Sequence, residues 1–510
     1  MSLLRPALLL LAVTLFVTWP QAGLQDWTGT EGRRVQIALE MARGGDWLVP
    51  TLFHEPTLAK PPLHYWLLAL LDGGGTEDWY RMRLPSIALL WALSVLAFGL
   101  HRRAFGAAAA WVAALGVCCA PMAVSQFASA EIDPVFACFT AGSLWLLAFG
   151  VARERRDALF WGGALGALAL LTKGPPYFVF AAGAWLVWFR RRRMRGFLVY
   201  AAPLLLPPVA YYAYLAFGAD VGDLSATASE ETVGRLFTYQ WHHVLDTPEF
   251  LLKALLVQLP LVCWCFWEFR STRDARMGPE DLTLRMCSGA AVLAVFLLAL
   301  FPGKPTRYLL PNVPLFTFAV APAAAHYATR CHRLGGFARG VLRGLGFAGA
   351  VLLVALPFLP APVPLRTAAF AIACGLMPWL VRTPRALVAM VFWLPALAAW
   401  TVLADFRDRW EHGPRARTVH GARAGQELGH LGGGLGRESY EAWGHVHGGL
   451  VLGIGALPRG NEAATRQPTA PLVLREAERW PPLPELEGYR VRTRLFLPKQ
   501  TFVIEERAGR

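Results

Sequence analysis

A carboxylate, a pair of arginines, a lysine and several aromatics share one polar stretch that follows the first hydrophobic segment of the chain. It reads Thr28-Gly29-Thr30-Glu31-Gly32-Arg33-Arg34, then Glu40-Met41, Gly45-Asp46-Trp47 and Lys60-Pro61-Pro62-Leu63-His64-Tyr65-Trp66. The surroundings are apolar. At a membrane surface such a set suits chemistry on a lipid that carries a charged phosphate. Cations hold the phosphate, and an ionised carboxylate accepts a proton from a hydroxyl or amine.

Each residue also has a structural use. Thr28 and Glu31 fit a capping box, with Thr28 as N-cap and Glu31 three positions on. The helix that follows is expected to reach about Gly44, with Val35, Ala38, Leu39 and Ala42 on one face, lying flat at the interface. A helix N-terminus and Arg34 one turn away keep the Glu31 carboxylate ionised, the state a general base needs. Lys60 precedes two prolines that hold it in extended backbone; it is either a phosphate contact or a lysine reaching for the interface. Glu131 and Asp133 sit at the outer end of a span, where acids are idle when solvated and candidates for a site when other charges gather there. Lys304 and Arg307 on a short turn can cradle a phosphate, although Arg307-Tyr308 equally suits interfacial anchoring. Adjacent His242 and His243 point different ways on a helix, so at most one of them joins a metal site, and surface placement is the simpler reading.

The elements that must position these groups are membrane helices. The 510-residue chain is 55% hydrophobic and 16% charged, against about 25% charged in soluble domains. Its apolar runs are continuous rather than alternating, which excludes a β-barrel. The formal charge of +14 reflects arginines crowded between apolar segments, as the positive-inside rule expects, rather than nucleic-acid binding. Segments fall at roughly 4–22, 84–100, 106–124, 134–152, 158–172, 176–189, 197–217, 250–268, 286–301, 308–328, 340–357, 366–381 and 386–403. This predicts an all-α polytopic membrane protein of about thirteen transmembrane helices, by the ~20-residue length criterion. With the first helix uncleaved and its N-terminus inside, the arginine clusters at 101–103, 153–156, 190–195, 270–285, 330–343 and 382–385 all face the cytoplasm.

The expected domains are a transmembrane domain, 1–404, with outer loops 23–83, 125–133, 218–249 and 302–307, and a small α/β extracytoplasmic domain, 405–510. The tail carries strand-like runs at 450–454, 490–497 and 501–504 and has no cysteine. All eight cysteines of the chain lie in or beside apolar segments. Lysines and arginines on outer loops run against the topology rule, and an anionic lipid headgroup is the obvious partner.

The run from Glu31-Gly32-Arg33-Arg34 through Gly45-Asp46-Trp47 to Lys60-Pro61-Pro62 and Tyr65-Trp66 resembles the polyprenyl-phosphate-dependent GT-C glycosyltransferases. It is most similar to the branch of the bacterial lipid A aminoarabinose transferases, related to the protein O-mannosyltransferases. Asp133-Pro134, Leu171-Thr172-Lys173-Gly174-Pro175, Trp241-His242-His243 and Pro302-Gly303-Lys304-Pro305-Thr306-Arg307-Tyr308 continue the likeness, which covers about residues 24–320. Two positions depart from it. Thr30 stands where the family usually has aspartate, and Ala59 where it has a metal-binding glutamate before the lysine.

The resemblance implies transfer of a sugar from a polyprenyl-phosphate donor to a lipid, glycan or protein acceptor on the outer face of the bacterial cytoplasmic membrane. It assigns acceptor activation to Glu31 with Asp133, and the donor phosphate to Arg33, Arg34, Lys60, His243, Lys304 and Arg307. A divalent metal stays open, with His243 and Glu55 as candidate ligands. No organic cofactor and no nucleic acid are expected; membrane lipids are the surroundings. Readings as an oligosaccharyltransferase- or ligase-like enzyme, a lipid-linked sugar flippase or an inactive binding relative remain beside it.

Overall fold

The computed structural model describes residues 3–22, 30–42, 44–52, 55–71, 79–190, 196–219, 247–252, 254, 279–301, 306–330, several positions within 340–351, and 428–430, 472–476, 489–496 and 501–507, with some side chains excepted. Lys304, His243, Thr28 and the expected strand 450–454 lie outside the described residues. The chain divides into two compact units. The first takes in Met1–Ala22, Leu58–His64 and Arg83–Phe406; the second takes in Gly23–Thr57, Tyr65–Met82 and Arg407–Arg510.

The first unit is helical. Its described helices are α1 (Leu4–Ala22), most of α4 (Trp79–Ala104), α5 (Ala107–Cys118), α6 (Pro121–Phe127), α7 (Ile132–Arg153), α8 (Arg156–Lys173), α9 (Pro176–Arg190), α10 (Phe197–Phe217), α11 (Pro279–Ala299) and α12 (Asn312–Arg330). α2 (Glu31–Ala42) and α3 (Leu63–Ala69) precede α4 in the chain. Among the described residues, four helices are long and apolar enough to cross a membrane: those over Tyr80–Ala104, Ile132–Arg153, Phe197–Phe217 and Glu280–Ala299. α7 is the centre, buried at nearly every position from Ile132 to Ala152. It packs on α8 and α11, α8 packs on α10, and α11 packs on α9 and α12. α10 turns Leu198, Leu206, Val209 and Phe217 outward, an apolar surface suited to lipid.

Two expected spans have different ends. The segment 106–124 is two helices, because Pro121 has no N–H for the ladder and starts α6 instead. The span expected from residue 84 begins at Trp79. In its first turns Arg81 is exposed, whereas Arg83 is buried and donates to the carbonyl of Ala22 at 3.0 Å, closing the end of α1.

Polar groups inside the helical unit are used as ties. Ser143 on α7 donates to the carbonyl of Gly162 on α8 and meets the Tyr177 hydroxyl of α9, both at 2.7 Å; Tyr177 in turn meets Tyr200 of α10. One hydroxyl chain therefore joins four helices, in a setting where an unmade hydrogen bond has no water to replace it. On α12, Pro322 cannot donate to the carbonyl of Phe318 four residues earlier. His101 of α4 reaches that carbonyl instead, with Nε2 at 2.9 Å, and its ring lies edge-on to Phe318 at 4.1 Å.

Gly183 of α9 faces Gly289 of α11 so closely that a Cβ on Gly183 would overlap the Gly289 backbone. A Cβ on Gly289 would meet only the Gly183 carbonyl and Val187 Cγ2, both at 3.3 Å. Gly183→Ala should therefore lower the thermal unfolding midpoint in lipid nanodiscs more than Gly289→Ala, at a cost of about 1–3 kcal/mol, the range for overpacking. Equal midpoints for the two variants would contradict this packing.

In the second unit, α2 is followed by the antiparallel pair β1 (Thr51–Leu52) and β2 (Glu55–Pro56). Glu40 pins the helix to β1, accepting from Thr51 Oγ1 at 2.7 Å and from Gln36 Nε2 at 2.9 Å. Asp46 accepts from the backbone of Leu48 and Val49, closing the intervening turn. A sheet of order β3-β4-β6-β5 comprises β3 (Leu428–His430), β4 (Leu472–Glu476), β5 (Tyr489–Phe496) and β6 (Thr501–Arg507). β3 runs parallel to β4, the other neighbours are antiparallel, and the β5–β6 register shifts between Val491 and Thr493.

The first hydrogen bond of α2 runs from Arg34 N to Thr30 O, so Thr30 takes the N-cap position and Glu31 is the first helical residue, not the third. Nor is the helix one-faced. Glu31, Gly32, Arg33, Arg34, Val35, Ile37, Ala38, Leu39 and Met41 are all buried.

Candidate active site

The helical unit gathers charge at one end of α7 and α8. A link of only Glu154 and Arg155 joins the two helices, with Glu154 in the left-handed conformation that ends α7. So short a link makes them antiparallel and brings the start of α7 level with the end of α8. Asp133 lies in the first turn of α7, where the helix dipole favours a carboxylate, and Pro134 follows at a position whose N–H has no partner within the helix. Lys173 is the last residue of α8, where the dipole favours a cation. Gly174 then turns the chain at φ +80, a conformation that a side chain would strain.

Lys173 Nζ donates to Asp133 Oδ1. The ammonium lies 4.2 Å from the ring centre of Tyr308 and 5.5 Å from that of Phe136. Arg307, on the short 3-10 helix Thr306–Leu309, approaches from the other side. Its Nε is 3.5 Å from Asp133 Oδ2, and one terminal nitrogen is 3.9 Å from Glu131 Oε1. The Asp133 and Glu131 side chains are 5% and 7% exposed, whereas Arg307 is 38% exposed. Asp133 thus bridges two cations that would otherwise repel each other. Lys173 is held deep, and Arg307 is loosely held at the open edge, where an incoming anion would meet it first.

The Lys60-Pro61-Pro62 segment runs beside this cluster. A Cβ on Gly174 would come 4.0 Å from Pro61 Cγ and 3.6 Å from the Tyr212 hydroxyl. His64 is buried and its Nε2 meets the carbonyl of Ala130 at 2.9 Å, immediately before Glu131. Ser129 braces the same turn, donating to the Gln126 carbonyl at 2.6 Å and accepting from Glu131 N at 3.4 Å.

In the second unit, Glu31, Arg33 and Arg34 are all buried on α2. Arg34 donates to the Tyr65 hydroxyl at 2.8 Å and lies 5.9 Å from the centre of that ring. Trp66 Nε1 donates to the Trp47 carbonyl, tying α3 to the turn after α2.

Of the residues singled out from sequence, the structure joins Asp133 with Arg307 and sets Lys60 on the neighbouring segment. Glu31, Arg33 and Arg34 are buried on α2, in the second unit. Lys173, Glu131 and Tyr308 belong to the cluster although they were not among the assigned site residues. The signals were present, since Lys173 and Tyr308 lie in motifs that carry the resemblance and Glu131 lies two residues from Asp133. Among the described residues no three His, Cys, Asp or Glu side chains gather as a metal site; Glu55 is on β2.

Residues 59–212, which contain Lys60, Asp133 and Lys173, match the model of the dolichyl-phosphate-mannose-protein mannosyltransferase family. The chain is 32% identical over 214 residues to the undecaprenyl phosphate-alpha-4-amino-4-deoxy-L-arabinose arabinosyl transferase of Pseudomonas aeruginosa (strain LESB58), covering 39% of this chain and 38% of that one. It is 29% identical over 191 residues to an uncharacterized protein of Aquifex aeolicus, covering 37% and 36%. The chain thus spans a little over a third of the length of the curated relatives it matches. Over the whole length, the structure superposes on ArnT from Cupriavidus metallidurans bound to undecaprenyl phosphate, with a TM-score of 0.71, 19% identity, and 98% and 97% of the two chains covered.

The fold is that of ArnT.

The apo form of the same ArnT superposes at a TM-score of 0.66 with 18% identity, covering 98% of each chain. The chain accordingly has the polytopic, mostly α-helical fold of ArnT, and the likeness first seen in the run from Glu31 to Trp66 extends to the architecture.

Proposed function

We propose that this protein is an integral membrane glycosyltransferase. It moves a sugar from a polyprenyl-phosphate donor to a lipid, glycan or protein acceptor at the outer face of the cytoplasmic membrane. The observation that carries this reading is the Asp133–Lys173–Arg307 cluster, roofed by Tyr308, at the helix ends opposite the Arg153–Glu280 ion pair. The arginine-rich ends belong to the cytoplasm by the positive-inside rule, so the cluster belongs to the outer side.

The acceptor oxygen or nitrogen attacks the anomeric carbon, the bond from that carbon to the phosphate oxygen breaks, and polyprenyl phosphate leaves with the bonding electrons. Lys173 and Arg307 stabilise the negative charge that grows on the leaving phosphate, and Lys60 adds to them. In a water-poor site such fixed charge is worth more than in solution. Glu31 takes the acceptor proton. Arg33 and Arg34 on the same helix keep the assigned role of donor binding, and His243 and Lys304 complete the assigned set. In the finer reading the chain has about thirteen spans, and residues from 405 on form a small α/β domain outside the membrane.

Undecaprenyl phosphate, the ligand of the solved ArnT, is the carrier to try first. The test is release of labelled undecaprenyl phosphate from its sugar-loaded form by purified protein in bacterial membrane extract, beside Arg307→Ala and Lys60→Ala. Release is expected from the wild type, reduced at least about tenfold in each variant, as for the loss of one charge-stabilising donor. Absence of release from the wild type, with every bacterial sugar donor supplied, would refute the proposal.

A further inference from the structure

Twice in the helical unit a buried histidine ring nitrogen meets a backbone carbonyl far away in the sequence. At Phe318 the tie is between helices. At Ala130 it lies inside the cluster described above. Ala130 precedes the N-cap Glu131, so its carbonyl lies outside the hydrogen-bond ladder of α7. The Ala130 carbonyl, fully buried, is met by His64 Nε2 across 66 residues of sequence. A carbonyl only accepts, so Nε2 carries the hydrogen.

His64 stands four residues after Lys60, with the two prolines between them limiting the backbone. Its bond therefore connects the segment that presents Lys60 to the turn that presents Glu131 and Asp133. On the far side, Pro61 lies against the Gly174 turn that follows Lys173. The segment that follows Lys60 is thereby held to both the Glu131 turn and the Gly174 turn.

We propose that His64 is a positioning residue that sets the spacing of Lys60 relative to the Asp133–Lys173 pair, and so the strength with which the site holds a phosphate. This rests on the functional reading above. His64 does not touch the phosphate; it acts through the Ala130 carbonyl.

The test uses the full chain in nanodiscs with undecaprenyl phosphate as probe. Wild type, His64→Phe, His64→Gln, Lys60→Ala and the double variant Lys60→Ala/His64→Phe are compared for binding, with thermal unfolding followed in parallel. Phe fills the space without a donor, and Gln restores an N–H. His64→Phe should weaken binding about tenfold, within the range for coupled residues. His64→Gln should bind within about threefold of wild type, the scatter expected of a retained hydrogen bond. Lys60→Ala should cost little more once His64 is Phe, because a lysine that is no longer positioned has little left to lose. A structural role alone would lower the unfolding midpoint and leave the Lys60 effect undiminished, which would overturn the proposal. So would a folded His64→Gln that binds tenfold more weakly. Should the wild type itself fail to bind the probe, the functional reading falls, and this inference with it; a wild type that binds no better than His64→Phe removes only His64.

Discussion

Replacement of Lys173 by methionine is expected to reduce release of polyprenyl phosphate by at least about 100-fold, the loss seen when one preorganised charge-stabilising donor is removed. Methionine has nearly the same length and no charge. Among the described residues, the substitution leaves Asp133, 5% exposed, with the 3.5 Å ionic contact from Arg307. Breaking a buried ion pair on one side costs about 3–5 kcal/mol, whereas removing both partners is often close to neutral. Stability and activity can therefore be separated. Lys173→Met and Asp133→Asn should each lower the thermal unfolding midpoint. The double variant Lys173→Met/Asp133→Asn should recover most of that midpoint and remain inactive. Recovery of release together with stability in the double variant would make the pair a structural tie and remove it from the site.

Glu31→Gln is the second large effect. General bases contribute about 10²–10⁴ in rate, so transfer should fall by at least about 100-fold. The side chain is fully buried at the first position of α2. Glutamine keeps the volume and removes the charge, so thermal unfolding is followed in parallel to separate loss of turnover from loss of stability. Donor binding should also persist, because the acidic group acts on the acceptor. The variant is thus expected to bind undecaprenyl phosphate and fail to turn over. Full turnover would leave Glu31 as a helix-end carboxylate alone and return the search for a base to Asp133 and Glu131.

Parts of this arrangement were legible residue by residue. Glu131 and Asp133 could be placed at a span end from the apolar run that follows them. The partner of Asp133 was less accessible. Lys173 is 40 residues away, and its type suits both a snorkelling lysine and an ion pair. The start of α2 shows a similar ambiguity. Thr28 and Thr30 are both competent caps, and sequence favoured Thr28 because Glu31 completes a capping box with it; the Arg34-to-Thr30 hydrogen bond selects the other.

The sequence by itself determined the class of molecule. Continuous apolar runs demand helices in a bilayer, since only there are all backbone groups satisfied within one segment. Arginine placement orients them, and the chemistry-bearing motifs stand out because charge is rare in such a chain. The tertiary structure alone decided which charges meet. A hydropathy pattern says which segments are buried in lipid or protein, but apolar helix faces packed on lipid and on other helices read the same. The contacts of Lys173 with Asp133, of Arg307 with Asp133, of His64 with Ala130 and of His101 with Phe318 depend on crossings set by close-packed shape, as at Gly183 and Gly289. The contact at Phe318 depends also on Pro322, whose missing N–H leaves a carbonyl for a distant side chain to fill.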